Sequence, residues 1–259
     1  MLEKLYYFLF MDSIIHWNIN GLRTHIEALR KYSEEIQPTA FCLNETRLQG
    51  QDPPTLQGYT PATRNDRLHL TGGGVAIYVR DDIRYVEIPC VRGSDMCAIE
   101  IKVNNAKVAI ICAYWSPINS NTTFNLNNIN AITSKYKQYL ILGDFNAHHP
   151  LWGSNSINSR GRLLEAEINK NNWCLLNEHS EATYWHPRRN YSAVLDLAIA
   201  STNLMRNINR CEPGDFMGNY KAYHLLLIVG FTHNSKVTKN NSINKYNIKN
   251  ATANSSNKQ

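Results

Sequence analysis

Gly143-Asp144-Phe145-Asn146-Ala147-His148-His149-Pro150-Leu151-Trp152-Gly153 follows an apolar, strand-like run over residues 139–142. In an extended chain residues i and i+2 point to one face, which predicts that the Asp144 carboxylate and the Asn146 amide project past the strand end together. A carboxylate in that position can align a water molecule or hold a hard cation, and a neutral amide can hydrogen-bond a phosphate oxygen. Gly-Asp-x-Asn is also ordinary turn chemistry, so the tetrapeptide alone leaves both meanings open.

Four more polar groups adjoin β-rich apolar runs. Residues 13–17 run into Asn18-Ile19-Asn20-Gly21, 39–43 into Asn44-Glu45-Thr46-Arg47, and 108–113 into Tyr114-Trp115-Ser116-Pro117, while 193–195 adjoin Asp196. Singly, each has a structural explanation: a turn for Asn18, a solvent charge for Glu45, a core aromatic for Tyr114, a local cap for Asp196. Jointly they favour one shared site.

The order Asn18, Asn44-Glu45-Thr46, Tyr114, Gly143-Asp144-Phe145-Asn146, Ser192-Ala193-Val194-Leu195-Asp196-Leu197 and His224 resembles the endonuclease/exonuclease/phosphatase family, which includes deoxyribonuclease I and abasic-site endonucleases. The blocks Trp17-Asn18-Ile19-Asn20-Gly21-Leu22, Leu43-Asn44-Glu45-Thr46, Gly72-Gly73-Gly74-Val75-Ala76-Ile77 and Asn146-Ala147-His148-His149-Pro150-Leu151-Trp152-Gly153 resemble more particularly the endonuclease domain of non-LTR retrotransposons. The resemblance runs over residues 11–233. It implies an α+β fold, a two-layered β-sandwich flanked by helices, and a divalent-metal-dependent phosphodiesterase that nicks DNA. Glu45 is then the principal ligand of Mg2+, with Mn2+ as a substitute and Asn18 beside it; a sparse oxygen site suits Mg2+ better than zinc. Asp144 would orient or deprotonate the attacking water, and Asn146 and Tyr114 would bind the scissile phosphate. His224, its other ring nitrogen held by Asp196, would steady charge in the transition state. The implied products carry a 3′-hydroxyl and a 5′-phosphate. In a complete element a reverse transcriptase belongs to the same polyprotein. A nuclear monomer is expected.

One departure stands out. Where the family carries Ser-Asp-His and then Leu-Pro-Ile, this chain has Ala222-Tyr223-His224-Leu225-Leu226-Leu227. Loss of that acid removes a negative charge that would offset a cation, which predicts weaker metal binding. The alternatives are a catalytically degenerate nucleic-acid-binding remnant and a phosphatase of the same fold.

A chain of 259 residues with 43% apolar content suffices for one large domain. Its net charge of +6 favours a polyanionic partner such as DNA. Arg47, Arg64, Arg67 and Arg188 are candidate DNA contacts, with Arg23, Arg160 and Arg189 also near loops. Six cysteines without a Cys-x-x-Cys pair indicate a reducing, intracellular compartment. His148-His149 lacks partners at zinc-ligand spacing and is read as turn residues at the site rim. Residues 1–10 form an extension too short for a signal core or membrane span. Helices are expected over 26–36, 161–171 (with Leu163, Leu164 and Ile168 on one face) and 122–137. Gly72-Gly73-Gly74 suits a tight entry into a strand over 75–79 rather than a phosphate cradle, which needs a following helix. From residue 234 the Asn-, Lys- and Ser-rich composition reads as a flexible tail ending in or near a linker.

Overall fold

The computed structural model describes residues 12–67, 72–117, 125–178, 180–186, 188–214 and 223–232. The expected extension over 1–10, the tail from 234, residue Ala222 and the start of the helix expected from 122 lie outside these residues.

Among the described residues two six-stranded sheets carry the fold. The first is ordered β13-β14-β1-β2-β4-β3, with β1 Ser13–Asn18, β2 Ala40–Asn44, β3 Tyr59–Asn65, β4 Val75–Arg80, β13 Ile208–Pro213 and β14 Leu227–Phe231. The second is ordered β5-β6-β7-β8-β12-β9, with β5 Tyr85–Ile88, β6 Met96–Val103, β7 Ala106–Tyr114, β8 Tyr139–Asp144, β9 Cys174–Leu175 and β12 Asp196–Ala200. A small hairpin pairs β10 Tyr184–Trp185 with β11 Ser192–Ala193.

Each sheet contains one parallel pair, β1 with β2 and β7 with β8. Parallel neighbours require a crossover. Helix α1, Ile26–Ile36, supplies it in the first sheet and α2, Leu126–Thr133, in the second. Strands β1, β2 and β8 are buried at every residue. That explains their nearly continuous apolar sequences: each sheet is covered on both faces, so no solvent side calls for alternation. Between the sheets pack residues such as Cys42, Ile77, Ile110, Leu142 and Val229. Ala28, Leu29 and Tyr32 of α1 cover the outside of the first sheet together with Phe41 and Tyr78. Ile129 and Ile132 of α2, and Leu164 and Ile168 of α3, Ser159–Asn171, cover the outside of the second. The result is the α+β sandwich with flanking helices that the sequence predicts.

The helix ends follow local chemistry. The chain leaves α1 at Gln37, which adopts a left-handed conformation and donates its N–H to the Ser33 carbonyl, and Pro38 prevents continuation. Helix α3 starts two residues before the expected position because the Asn158 side chain caps it, accepting from the Gly161 N–H. Leu163 departs from expectation: it is 55% exposed, and the buried stripe is Arg160, Leu164 and Ile168, the i, i+4, i+8 row. Among the described residues no helix is long and apolar enough to cross a membrane.

Candidate active site

The C-terminal ends of the two parallel pairs meet. Asn18 is in register with Asn44, Tyr114 with Asp144, and Asp144 with Asp196 at the start of β12. Asn44, to which no role was attached from sequence, ties the sheets together. Its Oδ1 accepts from the Asp144 N–H at 2.8 Å and its Nδ2 donates to Cys112 Sγ at 3.2 Å. The i, i+2 expectation for Asp144 and Asn146 is corrected. The strand stops at Asp144, whose Oδ1 accepts from the Asn146 N–H at 2.9 Å, and Asn146 turns to φ 46°. This is an Asx turn, the alternative that the Gly-Asp-x-Asn composition already allowed. The Asn146 amide instead donates to the Trp115 carbonyl at 3.1 Å.

Asp196 is fully buried and is held from two sides. His224 Nδ1 lies 2.8 Å from Asp196 Oδ2, and His16 Nε2 lies 3.0 Å from Asp196 Oδ1. The other His16 nitrogen, Nδ1, lies 3.1 Å from the Cys42 carbonyl. His16 has no counterpart among the expected site residues. Its one sequence signal was a lone imidazole inside the apolar run 13–17. Thr183 Oγ1 accepts from the Leu195 and Asp196 N–H groups, both at 3.1 Å, which diverts the chain between β11 and β12. The Trp17 indole donates to the His224 carbonyl at 3.1 Å, and the Tyr184 ring lies 4.8 Å from the His224 ring, centroid to centroid.

His224 Nε2 then faces Asp144 Oδ2 across 3.9 Å. Burial alone would push the His224 imidazolium down, but the charge and hydrogen bond of Asp196, with Asp144 and Glu45 behind, outweigh it and raise the group to about 9. Burial, with the nearby Asp196 charge, pushes Asp144 up to about 7 against the opposing attraction of His224. For Asp196 the burial penalty is overcome by His224 and His16, which hold it well below the usual carboxylate range. The three form a group whose ligand atoms lie within 4.8 Å of one another. Because Asp196 and His224 Nδ1 already satisfy each other, the group serves proton and charge placement better than cation binding.

Glu45 is the more open acid, with its side chain 19% exposed. Its Oε1 accepts from the Tyr114 hydroxyl at 2.8 Å and from Asn18 Nδ2 at 3.3 Å, and its Oε2 from Arg47 at 2.7 Å. Burial would raise Glu45, but the donors Arg47, Tyr114 and Asn18 outweigh it and keep the carboxyl below its ordinary range. Asn18 Nδ2 also donates to Asp144 Oδ2 at 2.9 Å, while its Oδ1 accepts from the Asn20 N–H. As placed, Asn18 therefore orients the two acids and turns its oxygen elsewhere. The ionised Glu45 carboxylate is an oxygen ligand of the kind a hard cation such as Mg2+ takes, but Arg47 already neutralises it and Asn18 turns its nitrogen to it, so an ion would have to displace Arg47 and turn the Asn18 oxygen inward.

The expected arginines divide. Arg188 and Arg189 are exposed on the β10–β11 hairpin. Arg64 donates to the Gln51 carbonyl and lies 3.6 Å from Asp66. Arg67 is turned inward, contrary to a DNA-contact role: it is 7% exposed, forks onto the Asp95 carboxylate at 2.7 Å, and stacks its guanidinium 5.6 Å over Tyr114. A Cβ on Gly73, at φ 71°, would sit 2.5 Å from the Arg67 side chain, so the glycine run makes room for this buried pair. His149 caps the short helix Pro150–Trp152 and His148 lies 3.4 Å from the Tyr191 hydroxyl, in keeping with turn residues.

A family model described as "Endonuclease-reverse transcriptase" matches residues 108–218. The "Probable RNA-directed DNA polymerase from transposon BS" of Drosophila melanogaster is 24% identical over 190 residues, 72% of this chain and 21% of that protein. The "RNA-directed DNA polymerase from mobile element jockey" of Drosophila funebris is 20% identical over 195 residues, 74% of this chain and 21% of that protein. The chain thus spans about a fifth of the length of these relatives. Among solved structures, the endonuclease domain of TRAS1, a telomere-specific non-LTR retrotransposon, superposes with a TM-score of 0.72 at 16% identity, covering 85% of this chain and 98% of that one. The catalytic domain of Xenopus laevis APE2 superposes with a TM-score of 0.67 at 16% identity, covering 85% and 91%. The chain thus has the fold of these endonuclease structures, and its residues 108–218 match the endonuclease–reverse transcriptase model.

Proposed function

We propose that this chain is a retrotransposon-type endonuclease domain that hydrolyses one phosphodiester bond of DNA. The observation that carries the proposal is the Asp144–His224 pair. The two face each other across 3.9 Å at the ends of different sheets, one raised to about 7 and the other to about 9. Near neutral pH such a pair can take a proton on one side and present positive charge on the other. Asp144 orients the attacking water and accepts its proton. His224, steadied by Asp196, presents Nε2 to the phosphate, Asn146 hydrogen-bonds a phosphate oxygen, and Tyr114 joins it by turning its one O–H away from Glu45 Oε1. The water oxygen bonds to phosphorus as the P–O3′ bond breaks, and the departing O3′ takes a proton from solvent, leaving a 5′-phosphate and a 3′-hydroxyl. Glu45, with Asn18 orienting it, would hold Mg2+ or Mn2+, and the ion would supply positive charge to offset that of the phosphate.

Retroelement relatives support DNA as substrate and a reverse transcriptase as the neighbouring activity in a longer polyprotein. We place the domain at 11–233, acting as a nuclear monomer. A second reading, a DNA-binding domain without turnover, is favoured by Tyr223, which stands where the family carries an acid and adopts φ 61°. Incubation of supercoiled plasmid with the chain over a Mg2+ and Mn2+ titration separates the two. An endonuclease gives relaxed circles whose nicks a polymerase extends directly, and Tyr223→Asp lowers the metal requirement. Relaxation by Tyr223→Asp alone would leave the second reading standing, and nicks that a polymerase cannot extend would rule out the proposed bond cleavage.

A further inference from the structure

The fold buries two arginines beside Tyr114 and Trp115 and treats them differently. Arg67 is matched by Asp95. Arg160, on the buried stripe of α3 and 7% exposed, has no carboxylate partner among the described residues. Its guanidinium lies 5.2 Å over the Trp115 ring, and Nη1 donates to the Trp115 carbonyl at 2.8 Å. That spends one of the five N–H donors a guanidinium offers. None of its nitrogens is among the sealed side-chain atoms that lack a hydrogen bond, so its unspent donors reach the surface.

Its surroundings point in one direction. The Asn146 amide donates to the same Trp115 carbonyl, at 3.1 Å, so the amide and the guanidinium stand side by side. The Trp115 N–H donates to the Asp144 carbonyl at 2.9 Å, which ties this carbonyl to the end of β8. Burial draws the Arg160 charge down in pKa, and Asp144 and Tyr114 oppose the fall from nearby. A buried, permanently charged group without an acid partner among the described residues is set up for an anion from outside. Stacking on Trp115 fixes the plane of its fork, the geometry that suits two oxygens of one phosphate.

We infer that Arg160 and Asn146 form a clamp for a phosphate group of the DNA backbone, with Arg160 supplying its charge and Asn146 a neutral donor. The inference rests on the proposed function for the identity of the phosphate as DNA, while phosphate binding itself can be read without cleavage. The test uses the full chain without metal, following the Trp115 indole N–H by NMR while inorganic phosphate is added, for the parent, Arg160→Gln and Arg160→Lys. The parent signal shifts and saturates, Arg160→Lys responds at higher phosphate, and Arg160→Gln does not respond. In parallel, the slope of log affinity for a DNA duplex against log salt becomes shallower by about one in Arg160→Gln. No response in the parent, or an unchanged response and salt slope in folded Arg160→Gln, would overturn the clamp and leave Arg160 a packing residue over Trp115. Should Arg160→Gln fail to fold, a response in Arg160→Lys equal to the parent's would overturn it too. A phosphate response lost in Arg160→Gln, in a protein that never nicks plasmid, would sustain the clamp and sink the endonuclease.

Discussion

Asp196 is the residue on which the electrostatics of the site turn, because two imidazoles converge on its one buried carboxylate. In Asp196→Asn the burial of His224 persists while the largest of the charges that raise it is gone, with Asp144 and Glu45 remaining. The His224 imidazole, followed by NMR in the metal-free protein, is expected to titrate near 9 in the parent and lower in the variant. The sign for stability follows: a histidine raised on folding contributes fully below the unfolded value near 6.5, and its contribution fades as pH rises through about 9. The parent should therefore lose stability over that window, and the variant should lose less at His224. His16 gives a second test at this scale. His16→Leu removes the ring contacts with Asp196 Oδ1 and the Cys42 carbonyl in a fully buried place, a cost of about 3 kcal/mol in denaturant unfolding. His16→Gln, which keeps a donor toward Asp196, should cost less; equal costs would mean that the hydrogen bonds contribute nothing. Glu45, Asp144 and Tyr114 were legible in the sequence because each ends an apolar run. His16 was not, since its partner Asp196 is 180 positions away and sequence spacing says nothing of what faces a strand interior. Nor did it show that Glu45, Arg47 and Tyr223 adopt left-handed φ values of 52°, 54° and 61°, costly for side chains other than Asn and Asp.

At the scale of elements, the site exists because two strand–helix–strand units end side by side. Gly143 lies in β8 opposite Ala113 of β7, where an added Cβ would sit 1.9 Å from the Ala113 carbonyl oxygen. Gly143→Ala must push the two strands apart, with an expected loss of about 3 kcal/mol by denaturant unfolding. A cost below about 0.5 kcal/mol would show that the strands are less tightly apposed than this. The strands themselves could be read from apolar runs, and α1 from the spacing of its buried residues and the proline after it. The β10–β11 hairpin could not. The run around 193–195 reads as one strand with Asp196, but Thr183 intercepts the backbone N–H groups of Leu195 and Asp196 and splits it in two. A long-range side-chain bond of this kind leaves no periodic trace.

For the whole molecule, the net charge of +6 supports a polyanionic partner, yet its distribution matters more than its sum. Arg67 is spent on Asp95 and Arg47 on Glu45, which leaves exposed Arg188 and Arg189 on the hairpin as the better candidates for backbone contacts. Duplex binding should therefore weaken less on Arg67→Gln than on Arg188→Gln, measured at one fixed salt concentration in folded variants. The reverse order would mean that Arg67 leaves its buried pair to meet DNA. The most direct test of the central claim is supercoiled plasmid nicking in Mg2+ by the parent and by Asp144→Asn. Metal-dependent relaxation that falls by roughly 10²- to 10⁴-fold in Asp144→Asn is the predicted result. Relaxation that survives unchanged in Asp144→Asn would contradict the assignment of Asp144, and a parent that never nicks would contradict the endonuclease itself.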